Sequence, residues 1–265
     1  RPGARQPYVA DMAWYEGRAA GLLGIEATKS EIAAGFRSFA TGMAEPVAAL
    51  LDRLAGKVKF AQGVSGLVPT RTGWHIAITG GSPHDADAIV LALPAFTAGR
   101  LLEAVGASHA RELAETPYLP SITVSLAYRA AQLSRPLQGA GFVVESPVQL
   151  RACTFSWLKF PGRAPEGDAL LRAYLPPQDG DPAQIAHAQL AAILGITGEP
   201  LWSRTYHWNR GLPRYRADHA HRVAAVRKRL RRLSPIAIAG AGYDGAGVSA
   251  CVRSGREAAR QLLKN

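Results

Sequence analysis

Apolar residues recur along this chain in three rhythms, and each change of rhythm predicts a change of structure. After an irregular start, "MAWYEGRAAGLLG" reads as helical, and Val47, Leu50, Leu51 and Leu54 mark one face of a further helix that Gly56 stops. In "KVKFAQGVSGLVPTRTGWHIAITG" two short extended runs flank Thr-Gly, the pattern of a β-hairpin or meander. "DADAIVLALPA" is a continuous apolar run closed by Pro94. It suits a buried strand in a parallel or mixed sheet, and "FTAGRLLEAV" then predicts a helix. Strict alternation begins with "SITVSLAYR", and "GAGFVVES", "LRACTFSWLKF" and "ALLRAYLP" read as further strands. "DPAQIAHAQLAAILGI" predicts a helix with Asp181 as N-cap and Pro182 at the first helical position. "LWSRTYHWN" returns to strand. Val223, Val226, Leu230 and Leu233 restore the helical period, and "PIAIAG" leads into a glycine loop and a last helix opening near Val248.

The runs at 88–93 and 235–239 both read as strands of one buried sheet, with the alternating block between them. This predicts an α/β domain interrupted by an α+β lobe whose sheet is mostly antiparallel. The expected boundaries are a helical segment over 1–55, the first domain over 56–106, the lobe over 107–205, and the closing part of the first domain over 206–265.

Composition narrows the class. With 265 residues, 48% hydrophobic and 19% charged, the chain has enough apolar surface for sizeable cores. It contains no apolar run of the roughly 18 residues that a membrane-spanning helix needs. Its start lacks the sections of a signal peptide and an initiator Met, and reads as that of a processed or truncated chain. Cys153 and Cys251 form no C-x-x-C pair and no disulfide framework; two free thiols fit a cytoplasmic protein. His219 and His221 stand two apart, which is not zinc spacing, so no metal site is expected.

The net charge of +11 comes from positive residues that are mostly Arg and scattered, with one dense run, "RVAAVRKRLRRL". This run reads as a surface helix with a solvated basic face, and peripheral contact with a membrane surface is the alternative. Nucleic acid is not an expected partner, since no interleaved aromatic platform, zinc motif or helix-turn-helix signature accompanies the charge.

Gly240, Gly242 and Gly245 spell G-x-G-x-x-G between a strand and a helix. The dinucleotide fingerprint also requires a following strand, with an acidic residue about 20 positions on for the ribose, and this sequence supplies neither. What remains is a strand-to-helix turn in which Gly242, Gly245 and Gly247 carry no side chains. The unpaired N–H groups beyond it make a positive dipole end. A tight packing turn and a docking point for negative charge are both compatible with that pattern.

"AGAGYDGAGVSACVRSG" resembles the C-terminal flavin-contacting segment of protoporphyrinogen and coproporphyrinogen oxidases, members of the flavin-containing amine oxidase superfamily. "FRSFATGM", "GVSGL" with the following "WHI", "ADAIVLALPA", "YLPSITVSLAY", "PLQGAGFVV", "ACTFSWLKFPGRAPEG" and "HWNRGLPRY" with His219 resemble further family blocks in the family's order, from about Phe36 onward. The resemblance implies a Rossmann-like (GR2-type) FAD-binding domain, here incomplete, interrupted by a substrate lobe. It also implies FAD as cofactor, a porphyrinogen as substrate and oxygen as acceptor, with no catalytic nucleophile. Ala241, Gly242, Ala246, Gly247 and Val248 would face the flavin, Val64 the adenine end, and Trp208 the flavin region. Phe160 and Gly141 would belong to the porphyrinogen pocket, with ordinary aromatic core packing the competing reading for Phe160 and Trp208. Ser249 and Ala250 replace the family's Pro-Asp, Arg214 its Gln, and Asp218 its Gly. The family's N-terminal pyrophosphate fingerprint has no counterpart in the sequence, which leads to the expectation that residues 1–265 alone take up no FAD.

Overall fold

The structure, a computed structural model, describes residues 8–9, 38–107, 109–144 and 149–264. Contacts divide the chain into two compact units, one of residues 1–55 and 120–211, the other of 56–119 and 212–265. The helix expected over 12–24 lies outside the described residues, as does most of 1–55. Among the described residues no helix is long and apolar enough to cross a membrane.

The first unit is built on a six-stranded sheet in the order β1-β7-β8-β9-β6-β10. Its strands are β1 (Tyr8–Val9), β6 (Tyr118–Arg129), β7 (Gly141–Val144), β8 (Ala152–Phe155), β9 (Asp168–Leu175) and β10 (Trp202–Pro213). The pairs β1/β7, β7/β8, β8/β9 and β9/β6 are antiparallel. Val124 stands opposite Ala173, and Leu126 opposite Leu171. Because side chains alternate across a strand, these residues share one face with Phe142, Cys153 and Phe155. That face forms a single core with Ala186, Leu190 and Leu194 of helix α5 (Pro182–Leu194). The Asp181 carboxylate caps α5, accepting the Ala183 N–H at 2.8 Å, and Gly195 ends it in the left-handed region at φ 65°.

Two expectations change here. The strand read through "TFSWLKF" stops at Phe155, and Ser156–Lys159 form the short helix α4. Trp157 packs against Phe155, ring centroids 5.8 Å apart, while Leu158 turns outward. Periodicity cannot separate strand from helix in so short an apolar run. Helix α1 (Glu45–Leu54) forms as predicted, yet buries none of its residues. Val47 and Leu50 are more than half exposed, so its apolar face does not contribute to a core among the described residues.

The second unit holds a three-stranded antiparallel sheet of β2 (Val64–Pro69), β3 (Trp74–Ile78) and β4 (His84–Ala86). It also holds a parallel pair of β5 (Ile89–Leu91) and β11 (Ile236–Ile238), with Ile89 opposite Ile236. The pair joins the two runs that the pattern assigned to one sheet. Helices α2 (Ala95–Ala104), α3 (Ala110–Ala114) and α6 (His219–Leu230) cover a core centred on Trp74, Leu91, Leu102, Val226 and Ile238. The Trp74 indole donates to the Pro235 carbonyl at 3.0 Å, binding the hairpin sheet to the entry of β11. The lobe expected from residue 107 begins at Pro120, because Ala107, Ala110 and Leu113 are buried in this second core.

Candidate functional site

Strand β11 ends in a loop, residues 240–247, that opens helix α7 (Val248–Leu262). Gly240 and Gly245 sit at φ +117° and +130°, where a side chain is strained. Gly242 answers a different need. A Cβ there would lie 2.9 Å from the Ala95 Cβ and from the Tyr118 hydroxyl, so the loop closes directly onto the start of α2. That hydroxyl accepts the Ala95 N–H at 3.0 Å, and burial holds it above the ordinary phenol range. Tyr243 is buried beside it and donates to the Leu93 carbonyl at 3.0 Å.

Polar braces hold the same segment from α6 and from the chain before it. The Tyr215 hydroxyl donates to the Ala241 carbonyl. Its ring stacks on His219 with centroids 4.5 Å apart, and burial pushes the phenol up to about 12. His219 Nε2 lies 3.2 Å from the Tyr243 carbonyl, which can only accept, so Nε2 carries the proton. Burial outweighs that bond and lowers the imidazole's affinity for a second proton. Asp244 receives both Arg227 guanidinium nitrogens, at 2.8 and 2.6 Å, and the Ser254 hydroxyl at 2.8 Å. Burial alone would raise the Asp244 carboxyl, but the Arg227 and Ser254 hydrogen bonds outweigh it and hold it below the usual carboxylate range. Ser254 in turn accepts the Gly240 N–H at 3.1 Å.

Beyond Gly245 the loop faces outward. Ala246, Gly247, Val248 and Ser249 are exposed, and among the described residues no side chain caps α7. A Cβ on Gly247 would meet no described atom within 4 Å. The first turn of α7 carries no acidic residue. Its N–H groups and dipole therefore present a positive end into open space, which suits an electron-rich edge or an oxyanion.

The remaining candidates lie elsewhere. Val64 begins β2 opposite Ile78 at an irregularity in the register, and is 42% exposed. Trp208 stands on β10, half exposed; its indole donates to the Thr123 hydroxyl at 3.1 Å and its ring lies 6.2 Å from Tyr206. Phe160, half-buried, lies between Lys159 and Arg163, each cation 5.7 Å from the ring centroid. Among the described residues, neither Trp208 nor Phe160 belongs to a hydrophobic core cluster. Gly141 is at φ +149°, where a Cβ would meet the Cys153 carbonyl at 2.1 Å, so β7 could not pair closely with β8 around any other residue.

Thus Ala241, Gly242, Ala246, Gly247 and Val248 come together on one loop. Val64 shares their unit on a separate sheet, and Trp208, Phe160 and Gly141 belong to the six-stranded sheet's unit. No cluster of metal-ligating side chains occurs among the described residues. Sequence reading missed the braces Tyr215, Arg227, Asp244 and Ser254. Their signals were present but carried other meanings: Tyr215 sat inside a resemblance block, and Arg227 was one arginine in a basic run.

Residues 8–263 match the family described as flavin containing amine oxidoreductase. The coproporphyrinogen III oxidase of Propionibacterium freudenreichii subsp. freudenreichii is 29% identical over 246 residues, covering 89% of this chain and 46% of the relative. That of Bacillus subtilis is 27% identical, covering 86% and 51%. The protoporphyrinogen oxidase of Bos taurus is 28% identical, covering 72% and 43%. The chain therefore spans about half the length of the curated relatives it matches. A solved structure from Exiguobacterium sp. 255-15 superposes with a TM-score of 0.72 at 26% identity, over 86% of this chain and 52% of that one. Cyclohexylamine oxidase from Brevibacterium oxydans, at 17% identity and a TM-score of 0.65, shares the fold.

Proposed function

The chain belongs to the flavin containing amine oxidoreductases, and from that premise we propose that it serves the FAD-dependent oxidation of protoporphyrinogen IX or coproporphyrinogen III to the porphyrin, in heme biosynthesis, with oxygen as acceptor. The observation that carries this reading is the uncapped, exposed N-terminus of α7 at Gly247 and Val248, in a chain whose curated relatives are named for these oxidations. When bound, the flavin supplies the hydride acceptor.

The residues present fit a flavin edge. Gly247 leaves room for close approach, and the first N–H groups of α7 complement negative charge developing on a reduced ring. In this reading Ala246, Gly247 and Val248 make the contact. Ala241 and Gly242 act behind them, since the Ala241 carbonyl is engaged by Tyr215 and the space beside Gly242 is filled by Ala95 and Tyr118. Val64 offers its backbone to the adenine end.

The substrate belongs on the face of the six-stranded sheet turned away from α5. Gly141 stands opposite Thr154, Thr154 opposite Arg172, and Arg172 opposite Ser125, so these positions share that face. Thr123, with Trp208 against it, continues it. Aromatic rings there suit a macrocycle, and the exposed Arg172 suits its carboxylates. Phe160 would meet the macrocycle from the loop after α4.

The test is the natural protein purified from its host, assayed with FAD and each porphyrinogen in air. Flavin absorbance and porphyrin fluorescence growing with time are the expected results. Failure of both porphyrinogens to yield porphyrin faster than an enzyme-free control overturns the reading.

A further inference from the structure

The basic run that the oxidation does not use lines a cavity of its own. A cleft of about 590 Å³ opens beside α6, bounded by His109, His221, Lys228, Arg229, Arg231 and Arg232. Ala224 and Ala225 also line it, so small side chains leave room among the cationic ones. None of Lys228, Arg229, Arg231 and Arg232 enters an ion pair among the described residues. The nearby acids are already paired: Glu112 takes His109, at the edge of the cleft, at 2.9 Å and Arg222 at 3.9 Å, and Asp218 takes Arg222 at 2.7 Å.

Arg229 adds an independent observation. Its Nε is buried and has no hydrogen-bond partner among the described residues, while one terminal nitrogen reaches the Gly106 carbonyl at 3.4 Å. A guanidinium N–H buried without a partner is destabilising. Such a group calls for an acceptor that the described residues do not provide. The apolar side of α6 cannot supply a membrane anchor, because Val223, Val226 and Leu230 are buried in the core. What the cleft offers is concentrated charge and forked donors, the chemistry that recognises phosphate.

We propose that this cleft is a binding site for a compact phosphate-bearing anion carrying two or more negative charges, with Arg229 as its deep donor and Lys228, Arg231 and Arg232 as its rim. The site is separate from the α7 N-terminus and does not rest on the flavin reading.

Inorganic pyrophosphate, titrated calorimetrically at an ionic strength of about 0.15 M, is expected to bind with one-to-one stoichiometry. Lys228→Gln with Arg232→Gln, both at exposed positions, should weaken it about tenfold or more while leaving the melting temperature unchanged. Arg229→Lys keeps the charge, removes the fork, and should also weaken it. Co-sedimentation with phosphatidylglycerol vesicles distinguishes the source of the phosphate. Vesicle binding that pyrophosphate displaces and the double variant abolishes places a lipid headgroup in the same cleft. Absence of pyrophosphate binding, or binding equally tight in the variants, overturns the proposal. So does duplex DNA binding that pyrophosphate fails to displace.

Discussion

The two halves of the glycine loop each carry a glycine that the sequence presents alike and the structure uses differently. Gly242 is buried, and its missing Cβ is the space in which Ala95 and Tyr118 sit. Gly247, five positions on, is exposed, and its missing Cβ leaves open space in front of a helix end. One glycine is set by packing and the other leaves a surface free. A motif written as glycines and gaps treats them alike. The inner half, 240–245, is a bracket held by Tyr215, His219, Arg227 and Ser254; the outer half, 246–248, is exposed, and in the proposed reading it is the part that meets the flavin.

The comparison is tested most severely at Gly242. Gly242→Val places three carbons where a single one would already lie 2.9 Å from its neighbours and 3.0 Å from the Ala95 backbone nitrogen. The overpacking should cost about 3 kcal/mol. Thermal unfolding would measure it, and a variant that melts within error of the parent would show that the inner half is not packed in solution. Asp244→Ala comes next. It leaves Arg227 half-buried without its carboxylate and should cost about 2 kcal/mol, read from the same melting curves. Asp244→Asn keeps the shape and should recover part of the loss.

Acid should loosen the same half in two stages. His219 holds its second proton less readily in the folded protein than its ordinary value of 6.5, because of burial. Its stabilising contribution is complete above that value and is lost as pH falls through it, since the unfolded chain then binds a proton that the folded one resists. Asp244, held below 3.8, keeps its contribution until the pH falls beneath that value. Melting temperatures recorded from neutral pH downward should fall first near the histidine range. In His219→Gln, which can still donate to the Tyr243 carbonyl, that first step should vanish while the carboxylate step persists. A parent curve that is flat down to the carboxylate range would remove His219 from the bracket.

Most elements of the fold were legible in the residue pattern because their faces are unambiguous. Val124, Leu126 and Tyr128 alternate into one core, and 88–93 and 235–239 pair as β5 and β11, with β11 buried throughout while Val90 of β5 is exposed where the apolar run predicted burial. Asp181-Pro182 announced α5 by capping chemistry alone. The misreadings have physical causes. "SWLK" is too short for its period to decide between strand and helix, and the face of α1 predicts a partner without naming it. The site was half legible. Glycines and the helix start at Val248 can be read locally, but the braces cannot. Arg227 finds Asp244 17 positions away, and Tyr118 reaches Ala95 across 23. Only the fold brings such pairs together, and a basic run gives no sign of which arginine turns inward.

The gentlest perturbation is the most discriminating for the outer half. Val248 opens α7 and is 63% exposed, so exchanging it disturbs no packing. Val248→Asp puts a carboxylate on the positive end of the helix and should stabilise the protein by about 0.5 kcal/mol. The same charge occupies the place proposed for the electron-rich flavin edge, and FAD affinity of the natural protein should fall about tenfold. Val248→Lys should do the reverse, costing about 0.5 kcal/mol of stability while FAD binds at least as well. Stability and cofactor affinity would thus move in opposite directions in each variant. An inner-half substitution such as Gly242→Val should instead lower both together. If Val248→Asp and Val248→Lys leave FAD binding untouched while shifting the melting temperature as stated, the helix end is a structural cap that faces water, and the flavin lies elsewhere.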